Sequence, residues 1–264
     1  MTPILMLGAG RMGGALIEGW RGVGAFSGRD LIIRDPFPGP AALAAERDGA
    51  ILNPPDAALA QARTVLVCVK PQIWREAAVE TAPWLATGAV VVSIAAGVRA
   101  ADLTLEFGHR AVARVMPTTA AAIGQGVASV FAEEPRARAA AHALFKPVGV
   151  VVDFLDEALM HAATAVSGSA PAYLYAFIEA LEAAGLAAGL TAEASRVLAR
   201  STIGGAAALL GRSGEDPAEL RRQVTSPGGT TEAALKVLMG DGGFTPLMQE
   251  AVAAAVRRSK ELGG

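Results

Sequence analysis

Along the first part of the chain, short continuous runs of apolar residues alternate with stretches in which apolar positions recur every three or four residues. The continuous runs predict buried strands over residues 3–7, 31–33, 64–69, 89–94, 111–116, 126–131 and 148–154. Helical spacing predicts helices through Ala15, Leu16, Ile17 and Trp20, over 41–48 and around 136–146. Asn53-Pro54-Pro55-Asp56 marks a turn. Strands alternating with helices over this length predict a doubly wound, mainly parallel sheet. After Phe154 the strand signals stop. The remaining pattern is helical and rich in alanine, with helices predicted over 157–166, 171–188, 192–210, 217–224, 230–239 and 245–262. Pro171 and Pro217 stand near helix starts, where proline is tolerated.

The first predicted strand runs into Gly8-Ala9-Gly10-Arg11-Met12-Gly13 and then into a helix. In this G-x-G-x-x-G arrangement the first glycine allows a tight turn and the second lets backbone approach a pyrophosphate. The third lets helix pack on strand. The motif alone also occurs as a plain glycine turn; its place between strand and helix points to a dinucleotide. The fold class that results is α/β: an N-terminal Rossmann-type doubly wound sheet, residues 1–154, followed by an all-α domain, residues 155–264. The second predicted strand ends at Arg34-Asp35. An acidic residue there accepts from an adenosine ribose and disfavours a 2′-phosphate, whereas an arginine attracts one. The two cues conflict and leave NAD(H) or NADP(H) open. Lys70-Pro71, Ala95-Ala96-Gly97 and Met116-Pro117-Thr118 also fall at strand ends, with side chains small enough to leave room for a flat nicotinamide.

Composition refines this picture. Hydrophobic residues make up 52% of 264 residues and charged residues only 18%, so an apolar surface shared between subunits is expected. Two small-residue stretches, around Gly185 and over 204–208, suit close helix contact, either in an all-α dimer core or as ordinary packing within the chain. The net charge of −2 gives no electrostatic reason for nucleic acid or an anionic membrane as partner. The single cysteine, Cys68, rules out an internal disulfide and reads as a core residue. The expected location is cytoplasmic: no basic leader precedes the first strand, and no apolar run looks long enough to span a bilayer.

Catalytic groups are scarce. His109, His142 and His161 have no metal-ligand spacing to each other or to Cys68, so no metal is expected. There is no nucleophile elbow and no carboxylate pair. The helical half contains only Lys236 and Lys260, and its first long helix is approached by Val166-Ser167-Gly168-Ser169-Ala170-Pro171. Hydride transfer to a ketone benefits from a cationic or acidic group at the forming alkoxide. A protonated imine already carries the positive charge, so positioning alone can serve it. The inventory therefore favours C=N over C=O as the bond reduced. The one other candidate stretch is Val224-Thr225-Ser226-Pro227-Gly228-Gly229-Thr230-Thr231, which lies between two predicted helices. Its hydroxyls and main-chain N–H groups can bind a small anion; it can equally be a connector with a threonine cap.

Together these segments resemble the pyrroline-5-carboxylate reductase family. The resemblance rests on Gly8 to Gly13, Val69-Lys70-Pro71-Gln72, Ser93-Ile94-Ala95-Ala96-Gly97, Arg114-Val115-Met116-Pro117, Ser167 to Tyr173, residues 224–231 and Gly242-Gly243-Phe244. It implies an NAD(P)H-dependent reductase of 1-pyrroline-5-carboxylate, giving L-proline. Gly8, Ala9, Gly10, Arg11 and Met12 would then hold the pyrophosphate. Arg34 or Asp35 would meet the ribose, with Asn53 near the adenine half. Val69, Lys70, Pro71, Ala95, Ala96 and Met116 would line the nicotinamide end. Ser226, Gly229, Thr230 and Thr231 would bind the substrate carboxylate. Thr231 would also hydrogen-bond the ring nitrogen as candidate proton donor. A helical dimer, and rings of dimers, are implied as well. Two departures stand out: Thr118 where the family often has Asn, and Ala170 where it usually has Gly. The rival expectations are a β-hydroxyacid dehydrogenase-type enzyme and a non-catalytic dinucleotide-binding regulator. The first would carry a catalytic lysine on the first long helix of the second domain. The second would have no need of the 226–231 loop.

Overall fold

The structure is a computed structural model and describes residues 1–262. It divides into two compact units: Met1–Gly168 joined by the end of the last helix from Ala255, and Ser169–Ala254. The first unit contains β1 (Ile4–Leu7), α1 (Arg11–Val23), β2 (Leu31–Arg34), α2 (Pro40–Arg47), β3 (Ile51–Leu52), β4 (Thr64–Val67), α3 (Trp74–Thr81) and β5 (Val90–Ser93). It continues with α4 (Ala100–Glu106), β6 (Val112–Pro117), β7 (Gly126–Phe131), α5 (Pro135–Phe145), β8 (Gly149–Phe154) and α6 (Leu159–Ala163). The sheet order is β3-β2-β1-β4-β5-β6-β7-β8. All neighbours are parallel except β6 and β7. Those two are joined by residues 118–125, a link too short for a parallel crossover.

The sheet forms because its central strands are apolar on both faces. β1 and β4 are buried at every residue. Alternation along β1 sends Ile4 and Met6 to one face and Leu5 and Leu7 to the other. The first face packs under α1 and α5 through Leu16, Ile17, Trp20, Leu144 and Phe145. The second packs under α3 and α4 through Trp74, Ala78, Leu103 and Phe107. Each large side chain buried this way contributes roughly 1.5–3 kcal/mol. The Trp20 indole N–H also donates to Leu144 O at 2.7 Å, so the largest fully buried side chain keeps its polar atom satisfied.

Three details differ from the sequence pattern. The two-residue edge strand β3, just before the turn at Asn53-Pro54-Pro55-Asp56, has no counterpart in the predicted elements; Ile51 on it is exposed, so no apolar run announces it. The helix expected over 157–166 is short and passes into a π-helical turn, Thr164–Gly168. The change of unit comes at Gly168 rather than at Phe154, because α6 and this turn pack on β7 and β6.

The second unit is helical: α7 (Ala170–Ala187), α8 (Ala192–Ser213), α9 (Pro217–Gln223), α10 (Thr230–Leu238) and the first part of α11 (Phe244–Leu262). α7 and α8 are held together at Gly185, where an added Cβ would meet Ser195 Oγ at 2.3 Å. Ser195 Oγ in turn donates to Glu182 O at 2.6 Å. One small-residue stretch is thus explained by packing within the chain. The other is not: a Cβ at Gly204 or Gly205 would meet nothing within 4 Å. Apolar α7 has no buried residue, and α8 has only Ser195 and Ala199.

Candidate active site

The glycine loop is set by sterics at both ends. Gly8 has φ +86°, and a Cβ on Gly13 would lie 2.7 Å from Gly8 O. A Cβ on Gly10 would meet nothing within 4 Å, so its backbone is open to a ligand. Gly10 is the N-cap of α1 and offers no side-chain cap, and the first intrahelical bond is Gly14 N–H to Gly10 O at 2.7 Å. The N–H groups of Arg11, Met12 and Gly13 therefore carry no helical partner and point along the helix dipole. This cradle fits a pyrophosphate.

The loop is tied to the end of β2. Gly8 N–H donates to Arg34 O at 2.8 Å, and Ala9 N–H donates to the Asp35 carboxylate at 2.6 Å. The second carboxylate oxygen of Asp35 accepts from Phe37 N–H at 2.8 Å. Asn53, at φ +47°, brackets the Asp35 backbone: its side chain accepts from Asp35 N–H and donates to Asp35 O, both at 2.9 Å. Arg34 points instead to Asp56 and to Pro54 O. An open cleft of about 590 Å³ lies at these strand ends, lined by Arg34, Asp35, Asn53, Val69, Glu76 and Glu80 among others.

Val69, Ala95 and Met116 stand at the ends of adjacent strands β4, β5 and β6. Val69 abuts Gly8, where a Cβ would approach its Cγ1 to 3.0 Å. Lys70 is exposed, Pro71 and Ala96 are half-buried, and Ala95 is buried. The π-helical turn closes over this end: a Cβ on Gly168 would meet Met116 Sδ at 3.2 Å. Cys68 packs against the core, and burial pushes its thiol pKa up, as suits a packing role.

The 224–231 loop, in the helical unit, has a similar plan. Gly228 has φ +70°. Gly229 is the N-cap of α10 without a side-chain cap, and the first intrahelical bond is Ala233 N–H to Gly229 O at 3.2 Å. Thr230 and Thr231 thus present N–H groups with no helical partner. The hydroxyls of Ser226, Thr230 and Thr231 make no hydrogen bond among the described residues. The Gly229 N–H donates to Ser226 O at 3.0 Å within the turn. Gly228 N–H is also engaged, by the Glu232 carboxylate at 2.8 Å.

The family can be decided by comparison. A family model described as pyrroline-5-carboxylate reductase dimerisation matches residues 157–262, and one described as NADP oxidoreductase, coenzyme F420-dependent, matches residues 3–97. A pyrroline-5-carboxylate reductase of Pseudomonas aeruginosa is 39% identical over 99% of this chain and 97% of its own. The chain belongs to the pyrroline-5-carboxylate reductase family. It is an NAD(P)H-dependent oxidoreductase. A solved reductase of this family from Coxiella burnetii superposes with a TM-score of 0.90 at 29% identity, covering 100% of this chain and 99% of that one. One from Plasmodium falciparum, with NADP bound, gives 0.85 at 26% identity, covering 100% and 98%. The expected fold class, a Rossmann-type sheet followed by a helical dimerisation region, is what the structure and these matches give.

The structure places both departures from the family pattern. Thr118 is buried: its Oγ1 accepts from Val127 N–H at 3.0 Å and its own N–H donates to Val127 O at 2.9 Å. It closes the β6–β7 link. Ala170 lies in the first turn of α7, where no positive φ is required, so the lost glycine costs no strain. Sequence reasoning overlooked Glu232, Glu76, Glu80 and Asp56. Glu232 had a local signal, an acid in the first turn of a helix that follows a glycine pair. The other three had none, because their roles depend on which strand ends the sheet brings together. Among the described residues no cluster suited to a metal ion occurs, and no helix is long and apolar enough to cross a membrane.

Proposed function

We propose that this chain reduces the C=N bond of 1-pyrroline-5-carboxylate to give L-proline. The observation that carries this reading is the 226–231 loop: hydroxyls and helix-start N–H groups, in a helical half without a lysine on its first long helix. Hydride comes from the nicotinamide of NAD(P)H. The chain's own part is to hold and orient. The N–H groups of Arg11, Met12 and Gly13 bind pyrophosphate, and Gly8, Ala9 and Gly10 shape the path to it. Arg34, Asp35 and Asn53 form the ribose and adenine end. Val69, Lys70, Pro71, Ala95, Ala96 and Met116 line the nicotinamide end. Ser226 Oγ, with the N–H groups of Thr230 and Thr231, holds the substrate carboxylate, and Gly229 keeps the turn. Thr231 Oγ1 meets the ring nitrogen and donates or relays its proton.

The sheet domain serves the cofactor, and the helical domain serves substrate and self-association. A dimer unit is supported by the apolar residues that α7 and α8 leave exposed, such as Tyr175, Leu186, Val197 and Leu198. Rings of dimers and a cytoplasmic location belong to the same proposal. The assay is cofactor oxidation on addition of the cyclic imine, with small 2-keto acids as controls. Turnover of the imine and not of the keto acids is expected; the reverse would assign the chain to β-hydroxyacid-type chemistry. No turnover of either, with nucleotide still bound, would point to a regulator.

A further inference from the structure

The strand-end cleft resolves the conflict between Arg34 and Asp35, given the reading above that this cleft receives the adenosine half of the cofactor. Asp35 cannot turn aside. Its two carboxylate oxygens are held by the N–H groups of Ala9 (2.6 Å) and Phe37 (2.8 Å), and its backbone is held by Asn53. It is therefore a fixed negative charge at the end of β2. Arg34, the cation lining the cleft, is paired with Asp56 and donates to Pro54 O at 3.2 Å. That pair is partly exposed and weak in itself, but it neutralises Arg34 where a phosphate would need it. Two more carboxylates, Glu76 and Glu80, stand one helical turn apart on α3 and line the same cleft. A ribose 2′-hydroxyl can donate a hydrogen bond to a carboxylate. A 2′-phosphate is anionic and would enter a cleft of like charge.

We infer that the chain selects NADH over NADPH, through the fixed carboxylate of Asp35 and the neutralised guanidinium of Arg34. Dissociation constants for both nucleotides, measured on the full chain by nucleotide fluorescence without imine present, test this directly. NADH is expected to bind more tightly by on the order of tenfold at low salt. The gap should narrow as salt screens the repulsion. Asp35→Asn keeps an acceptor for Ala9 N–H but removes the charge, and should move the ratio towards NADPH by about tenfold. Asp56→Asn leaves Arg34 without its counter-charge and should move the ratio the same way by a smaller factor, which covers the case in which the Asp35 variant folds poorly. Equal or tighter binding of NADPH by the unmodified chain, or a preference that neither substitution shifts, would overturn the inference. Selective NADH binding without imine turnover would instead support the selectivity and sink the proposed reaction. Imine turnover with both nucleotides used equally would do the opposite.

Discussion

The glycine loop at α1 and the 226–231 loop at α10 are built on one plan and supported in different ways. Each has a glycine at positive φ, Gly8 or Gly228, and a glycine N-cap with no side-chain cap, Gly10 or Gly229. Each has a carboxylate that accepts one loop N–H, Asp35 for Ala9 and Glu232 for Gly228. The first brace reaches across 26 residues and is buried. The second reaches across four and is exposed. The glycine loop is therefore tied to the sheet, while the 226–231 loop is braced from its own helix start. A loop of the second kind depends on what covers it, which agrees with a helical unit whose apolar side chains lie open in the single chain.

The largest expected effect tests the sheet-held loop. Gly13→Ala places a methyl group 2.7 Å from Gly8 O, a backbone atom that cannot step aside. A cost of about 3 kcal/mol is expected, a rise of more than 100-fold in nucleotide dissociation constant. Titration with nucleotide checks it, and binding within tenfold of the parent would mean the cradle is softer than its geometry. Next comes Thr231→Ala in the locally held loop. Losing one well-placed hydrogen bond should cost on the order of 1–3 kcal/mol, roughly 5- to 150-fold in kcat, with nucleotide affinity unchanged. Thr231→Ser should restore most of the rate. Unchanged turnover in the alanine variant would remove Thr231 from the chemistry.

The same contrast explains what could be read from the sequence. Gly8, Gly10 and Gly13 were legible because they fall within six residues of one another, as one motif between a strand and a helix. The strands of the sheet were legible as apolar runs, since β1 and β4 are buried on both faces. The choice between Arg34 and Asp35 was not, because the partners that bear on it, Asp56 and Ala9, lie 22 and 26 residues away in sequence. The role of Thr118 was not legible for a similar reason: its partner Val127 is reached only once β6 turns back antiparallel on β7. The helix starts around 170, 217 and 230 were legible from proline, glycine and threonine. The open faces of α7 and α8 were legible as excess apolar composition and, on α8, as the small-residue stretch over 204–208.

A smaller effect separates brace from charge at Glu232. Its carboxylate holds Gly228 N–H but also places negative charge beside the loop proposed to bind the substrate carboxylate. Glu232→Gln keeps an acceptor and removes the charge, so KM for the imine should fall by roughly two- to fivefold, as suits an exposed charge interaction of about 0.5–1 kcal/mol. Glu232→Ala removes the brace as well and should raise KM. If both variants moved KM in the same direction, charge and brace would not be separable at this loop.

The smallest effect concerns the sheet-held half in acid. His161 on α6 shares a hydrogen bond of 2.9 Å with Ser259 of α11. Desolvation first, then Arg114 of β6 and Lys260 of α11, lower its pKa below the usual 6.5, with Glu157 opposing them. A histidine whose folded pKa is lowered binds its proton more readily when unfolded. Its contribution to stability is therefore complete above about pH 6.5, the unfolded value, and is lost as pH falls through the lower folded value. Arg114 is engaged by Glu157 at 2.6 Å, and Glu157 also accepts from Ala100 N–H at 2.7 Å, so protonated His161 would add a cation to a cluster already matched. His161→Gln keeps a hydrogen-bonding group for Ser259 and cannot titrate. The thermal midpoint of the unmodified chain should fall faster than that of the variant below pH 6.5, and the two should run parallel above it. Parallel curves throughout would remove His161 from the acid response of this half.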